Sequence, residues 1–230
     1  MTTTATTAAS ARGLTKVYGE GEARVVALND VDIDIEQGHF TAIMGPSGSG
    51  KSTLMHCLAG LDSVTEGTVT VGDVDLTTLK DKELTALRRD QIGFVFQSFN
   101  LIPTLNAEEN ITLPLDIAGT KPDKQWLDTV IDTVGLRSRL DHKPSELSGG
   151  QQQRVACARA MASRPAIIFA DEPTGNLDSK TGLAILDLFQ RLHEQGMTIL
   201  MVTHDDLVAD RCKRIIRLHD GRVETDVRVR

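Results

Sequence analysis

Residues 44–54, Met-Gly-Pro-Ser-Gly-Ser-Gly-Lys-Ser-Thr-Leu, constrain this chain more than any other stretch. The short apolar run Phe40–Met44 before it reads as a buried strand. Leu54, Leu58 and Leu61 after it keep helical spacing, which predicts a helix from about Lys51. Between strand and helix stand Gly45, Pro46, Ser47, Gly48, Ser49, Gly50, Lys51, Ser52 and Thr53, with Gly45, Gly50, Lys51 and Ser52 spaced as in a phosphate-binding loop. Glycines there let backbone N–H groups turn inward and let phosphate approach closely. The helix N-terminus adds partial positive charge. Lys51 can reach β- and γ-phosphates, and Ser52 can offer a hydroxyl to Mg²⁺.

The 230 residues suffice for one domain with a sizeable core. A net charge of −7 disfavours broad nucleic-acid or anionic-lipid binding, so no nucleic-acid partner is expected. Aromatics are 3% of the chain, too few for base-stacking platforms. Cys57, Cys157 and Cys212 are far apart without metal-like spacing and read as free thiols in the core. Residues 1–10 have neither a basic start nor an apolar centre, so they read as a disordered tail and not as a signal peptide. Apolar runs such as Ala166–Ala170 and Ile199–Val202 fall far short of the ~18–20 residues of a membrane span. A membrane role must come through a partner.

Val25–Leu28 and Val31–Ile35 read as extended runs, the second alternating apolar and acidic residues. Tyr18 stands in a Tyr-Gly turn, where it can stack on an adenine or serve as a rim aromatic of a β-layer. Gly67–Val71 looks like a strand ending in a Gly-Asp turn, and residues 81–90 form a charged helix. Ile92–Phe96 is a strand that stops at Gln97. Residues 98–146 read as a mostly helical insert, with Ala107–Ala118 and Asp123–Val134 helical and Pro103, Pro114, Pro122 and Pro144 as breaks. Ser148 and Gln151 fit a Ser-x-x-Gln capping box ahead of the helix Val155–Ala162. Ala166–Ala170 is a strand ending in Asp171-Glu172, a helix spans about Ser179–Glu194, and Thr198–Thr203 is a strand ending in His204. A strand-like tail follows at Gly221. Apolar strands alternating with helices indicate an α/β fold with parallel pairing and covered faces.

Ligands of parallel sheets lie at the carboxyl ends of the strands. Gly45–Ser52, Gln97, Asp171-Glu172 and His204 all follow apolar strands, so they fall on one sheet edge. Adjacent carboxylates at a strand end point in different directions. Asp171 is then the Mg²⁺ candidate, while Glu172 orients and deprotonates water for in-line attack on a γ-phosphate. Gln97 touches Mg²⁺ or that water, His204 bonds the γ-phosphate, and Lys51 balances developing charge.

Gly45–Thr53, Gln97, Leu147–Gln151, Ile167–Glu172, Gly175–Asp178 and His204 together resemble the ATP-binding cassette (ABC) ATPases, in that family's order and spacing. The resemblance implies a P-loop NTPase fold: a RecA-like core at 11–97 and 163–224, an N-terminal antiparallel β layer and a helical subdomain at about 98–162. It implies Tyr18 stacking on adenine, Asp178 at a contact between two copies, and two MgATP held in a homodimer. Ser148, Gly149, Gly150 and Gln151 would then cover the γ-phosphate bound by the other copy.

Gln97–Asn110 and Asp171–Asp178 are similar to the macrolide-efflux, lipoprotein-release and cell-division type of ABC ATPase. That group works with a separate membrane permease, here expected to dock near Gln97–Leu105 and to hold the chain on the cytoplasmic face of the membrane. Phe99, Leu101, Ile102 and Leu105 either form a groove for the permease or pack inside the subdomain. Export or mechanical coupling is favoured over import by this resemblance and by the lack of room for a C-terminal regulatory domain. A soluble ABC ATPase acting on DNA or ribosomes is the alternative, and the single cassette, acidic charge and missing heptad run speak against it.

Overall fold

The computed structural model describes residues 6–205, 208 and 211–229. Two sheets carry the chain. β1 (Thr7–Tyr18), β2 (Val25–Glu36), β4 (Glu66–Val71) and β5 (Val74–Asp75) form an antiparallel sheet in the order β2-β1-β4-β5. The larger sheet has the order β10-β9-β3-β8-β7-β6, built from β3 (Phe40–Met44), β6 (Ile92–Val95), β7 (Ile167–Asp171), β8 (Ile199–Val202), β9 (Arg214–His219) and β10 (Arg222–Arg228). Its strands run parallel except β10, which closes the edge antiparallel to β9. The α-helices are α1 (Lys51–Leu58), α2 (Asp81–Gln91), α3 (Ala107–Ala118), α4 (Lys124–Val134), α5 (Gly149–Met161) and α6 (Ser179–Glu194), and four single-turn 3-10 helices also lie among the described residues.

The alternation of side chains along each central strand divides the interior in two. Phe40, Ala42, Ile168, Ala170, Ile199 and Met201 point to one side, where they pack with α3, α4, α5 and α6. Ile43, Ile167, Phe169, Leu200 and Val202 point to the other, where α1, α2 and the antiparallel sheet cover them. Both faces of the parallel sheet are therefore buried, which explains why its strands read as unbroken apolar runs.

The predicted α/β order holds, with four differences. β1 begins at Thr7, where Thr7, Ala9 and Ser10 pair with Glu36, Ile35 and Asp34, so the expected tail over 1–10 does not extend through its last four residues. Residues 1–5 lie outside the described residues. α1 stops at Leu58, and Leu61 is left 43% exposed instead of continuing the helix. Pro114 sits inside α3 and does not break it. β9 was not expected from the sequence, because its buried start, Arg214, is charged. No helix among the described residues is long and apolar enough to cross a membrane.

Candidate functional site

β3 delivers the chain into the loop Gly45–Gly50, and two glycines there have no substitute. Gly45 has φ +148°, and a Cβ on it would stand 2.2 Å from the Leu218 carbonyl oxygen. Gly50 caps α1 with φ +96°, and a Cβ there would stand 2.5 Å from the Ala27 carbonyl oxygen. The loop is thus wedged between β2 and the end of β9. The turn after β9 laces it in place: Gly221 N–H donates to Ser49 O (3.1 Å), and Asn29 N–H donates to Gly221 O (2.9 Å).

A cleft of about 680 Å³ opens over this loop. Gly45, Pro46, Ser47, Gly48, Gly50, Lys51, Ser52 and Thr53 form one wall, Glu172 and His204 another, and Val25–Ala27 a third. Ser49 is buried beneath it, only 2% exposed. Lys51 is 7% exposed and donates from Nζ to Gly45 O and Pro46 O, both at 2.9 Å. Among the described residues no carboxylate stands within ion-pair reach of it. A buried ammonium whose direct partners are carbonyls keeps most of its charge uncompensated, and an anion in the cleft can meet it.

Asp171 and Glu172 diverge as the strand-end argument requires. Asp171 turns toward α1, where its Oδ1 accepts from Ser52 Oγ at 3.1 Å and its Oδ2 lies 3.6 Å from His56 Nε2. Burial raises its pKa, and the Ser52 hydrogen bond opposes that shift. Glu172 turns into the cleft because its backbone leaves the strand with φ +43°, a left-handed conformation uncommon for a residue with a side chain. Its N–H still donates to Val202 O (2.9 Å), and its Oε1 stands 3.2 Å from His204 Nδ1.

The other expected residues lie outside the walls of this cleft. Gln97 donates from Nε2 to Asn176 Oδ1 (3.4 Å), and Asn176 Nδ2 donates back to Gln97 O (3.1 Å). Tyr18 pairs with the cleft residue Val25 across the β1–β2 ladder. Its hydroxyl donates to Asp62 at 2.5 Å, Lys16 Nζ sits 4.8 Å from its ring centre, and burial together with Asp62 pushes its pKa up to about 12. Ser148 is exposed and caps α5: it accepts from Gln151 N–H at 3.3 Å and donates its own N–H to Gln151 Oε1 at 2.9 Å. Asp178 caps α6, accepting from the Thr181 N–H (3.1 Å) and hydroxyl (2.6 Å), bonds that lower its pKa. Gly150 packs on that same Thr181, and a Cβ on Gly150 would meet its methyl group at 2.3 Å. The starts of α5 and α6 are therefore one unit.

Four contributors were missed by sequence reasoning. Asn176 is the partner of Gln97 and sits inside the quoted Gly175–Asp178 stretch, so its proximity to the site was a usable signal. Val26 and Ala27 line the cleft, although their run had been assigned only an extended conformation. His56 contacts Asp171 one helical turn after Ser52, a spacing that places both on one helix face.

The P-loop between a parallel strand and α1, with an acidic strand end and a histidine opposite, also fits a known family. A family model described as ABC transporter matches residues 28–175, more than half of the chain. The chain belongs to the ABC transporter family.

Its relatives place it more closely. The cassette is 49% identical over 227 residues to the ABC transporter ATP-binding protein MJ0796 of Methanocaldococcus jannaschii, covering 95% of this chain and 96% of that one. It is 47% identical over 218 residues to the macrolide export ATP-binding/permease protein MacB of Bdellovibrio bacteriovorus. That match covers 95% of the cassette but spans only about a third (34%) of the length of MacB. Among solved structures, the dimeric post-hydrolysis state of the MJ0796 cassette bound to ADP and Pi superposes with a TM-score of 0.87 at 47% identity, covering 96% of this chain and 99% of that chain. CbiO1 of Clostridium perfringens, part of the ABC transporter complex CbiONQ, superposes at 0.86 with 27% identity, covering 96% and 88% of the two chains. The fold is that of a P-loop ABC ATPase.

Proposed function

We propose that the cassette binds MgATP in the cleft over Gly45–Thr53, hydrolyses it as a pair of identical copies, and drives a separate membrane permease of the export or mechanotransmission type. The observation that carries this reading is the arrangement of Lys51, Glu172 and His204 around one cleft, with Asp171 bonded to Ser52 beside it.

The residues divide the chemistry. Lys51 meets the β- and γ-phosphates, exchanging its carbonyl partners for anionic oxygens. Glu172 takes the proton from a water attacking in line at the γ-phosphorus, and the bond to the β–γ bridging oxygen breaks to leave ADP and phosphate. His204 holds the Glu172 carboxylate in place and bonds the γ-phosphate. Tyr18 stacks on the adenine, at the rim beside Val25. Gln97, held by Asn176 before nucleotide arrives, reaches the metal or the water when that pair opens.

Among the described residues no three His, Cys, Asp or Glu side chains form a metal-binding cluster. One carboxylate and one hydroxyl in contact, Asp171 and Ser52, nevertheless fit Mg²⁺, which takes few protein ligands and completes its shell with phosphate oxygens and water. Held by these two residues, the ion would neutralise negative charge on the phosphates.

The inserted helices α3–α5 act as a helical subdomain that carries Ser148–Gln151 to the other copy. The permease seat is the groove beside β6, of about 300 Å³, where Arg88, Arg89, Phe94, Phe96, Asn100 and Arg159 present a basic rim over an aromatic floor. Arg159 of α5 donates to Asn100 O (2.6 Å) and Phe99 O (2.9 Å), two left-handed residues just after Gln97, so a load on the groove acts on the Gln97 loop. Within that loop Leu101 packs into the core, whereas Ile102 is 41% exposed and free for contact. Through the permease the cassette sits on the cytoplasmic face of the membrane.

Glu172→Gln tests the assignment. The variant is expected to bind MgATP, form a stable dimer on size exclusion and release phosphate at least about 10²-fold more slowly than wild type. Hydrolysis at the wild-type rate would refute Glu172 as the base.

A further inference from the structure

The side chain that faces Asp171 from behind is His56. Ser52 and His56 are four residues apart on α1 and share a face, so both reach the end of β7. Ser52 bonds Asp171 Oδ1 at 3.1 Å, and His56 Nε2 faces the other oxygen, Oδ2, at 3.6 Å. The imidazole is itself seated: its ring lies 5.8 Å from the ring of Phe94 on β6, tilted by 44°. Phe94 is fixed in turn between Phe96, at 4.2 Å, and the fully buried Phe169 of β7, at 6.3 Å. Aromatic contacts at these separations add packing energy to simple burial.

We propose that His56 is a positioning residue for Asp171: braced on Phe94, it fixes one carboxylate oxygen and so keeps the other aimed at Ser52 and the Mg²⁺ site. This deepens the reading above and rests on its assignment of Asp171 to the metal. It also gives the groove beside β6 a second line into the site, because Phe94 and Phe96 form both the groove's aromatic floor and the brace of His56. Residues that orient a metal-binding carboxylate without touching the metal affect affinity for the ion first and turnover only through it.

The experiment measures binding of a fluorescent ATP analogue to the purified cassette, first in EDTA and then as Mg²⁺ is added. His56→Ala is expected to raise the Mg²⁺ concentration for half-saturation about tenfold while metal-free binding stays unchanged. His56→Gln, which keeps an N–H donor near the Nε2 position, is expected to restore most of the loss. Phe94→Leu is expected to shift the midpoint in the same direction and to add nothing to His56→Ala. An unshifted midpoint in His56→Ala overturns the proposal, as does an equal loss with and without Mg²⁺, which would mean that the ring merely supports the loop. Asp171→Asn separates the two levels. If it shifts the midpoint and His56→Ala does not, the His56 role alone fails. If it leaves the midpoint unmoved, the metal assignment of Asp171 fails and the His56 role with it.

Discussion

Lys51 holds its ammonium against two carbonyls of its own loop, nearly shut off from solvent, and among the described residues no carboxylate stands within ion-pair distance of it. A phosphate anion is the better partner, since it brings the full opposite charge that a carbonyl dipole lacks to a cation cut off from water. Lys51→Ala is therefore expected to lose MgATP affinity by at least about tenfold in equilibrium binding, the equivalent of about 1.4 kcal/mol. Tight MgATP binding by that variant would count against the P-loop reading. At this scale the sequence was readable wherever one residue's neighbours decide its geometry. Two adjacent acids at a strand end are expected to diverge, and Asp171 and Glu172 do, although Glu172 lies just past β7. The left-handed backbone of Glu172, which turns its carboxylate to the cleft, had no such local sign. Gln97 with Asn176, and His56 with Asp171, join segments distant in the chain, and those pairings exist only once the sheet has formed.

Among the elements, α3 and α6 follow the apolar spacing of their segments to the residue, and both begin on a polar cap, Asn106 and Asp178. Local signals decide such helices. β9 escaped because Arg214 breaks its apolar pattern, and tertiary pairing decides that residue. Arg214 is 7% exposed, donates in a two-point contact to Asp226 on β10 at 2.6 and 2.7 Å, and reaches Asp34 O on β2 at 2.5 Å. One guanidinium thereby fastens the sheet edge to the antiparallel layer. The same contact lowers the pKa of Asp226 below the ordinary carboxylate range. A carboxylate with a lowered folded-state pKa contributes stability above its unfolded-state pKa, and that contribution disappears as pH falls through the folded-state value. Asp226→Asn is expected to lower the melting temperature at pH 7 by roughly 2–4 °C, about 1 kcal/mol for a half-exposed partner. The deficit should close as the pH is taken below that folded-state value. A deficit of equal size at acid and neutral pH would mean that Asp226 acts through packing and not through its charge.

In the whole molecule the cleft is lined by the phosphate loop, by Glu172 and His204, and by Val25–Ala27 of β2, while Ser148–Gln151 lie outside its walls and Ser148 is exposed. The N-terminus of α5 is a second place suited to phosphate, and the Gly150–Thr181 contact fixes it to the start of α6, where Asp178 sits. Contacts within one chain reveal nothing of a second copy. The expectation of one came from the family resemblance, and the related MJ0796 cassette is dimeric with ADP and Pi bound. If two copies share their sites, each site takes its loop from one chain and its serine from the other. Lys51→Ala disables the first half of a site and Ser148→Arg the second. Each variant alone carries a lesion in both sites of its homodimer. In a mixed dimer one site collects both lesions and the other collects neither. Random pairing at equal concentrations then leaves about a quarter of all sites intact, so phosphate release should recover on mixing to roughly that fraction of wild type. Recovery requires the two lesions to separate onto different sites, which happens only if the sites are shared. Two self-sufficient clefts would keep each chain's defect with that chain, and the mixture would be as inactive as its parts.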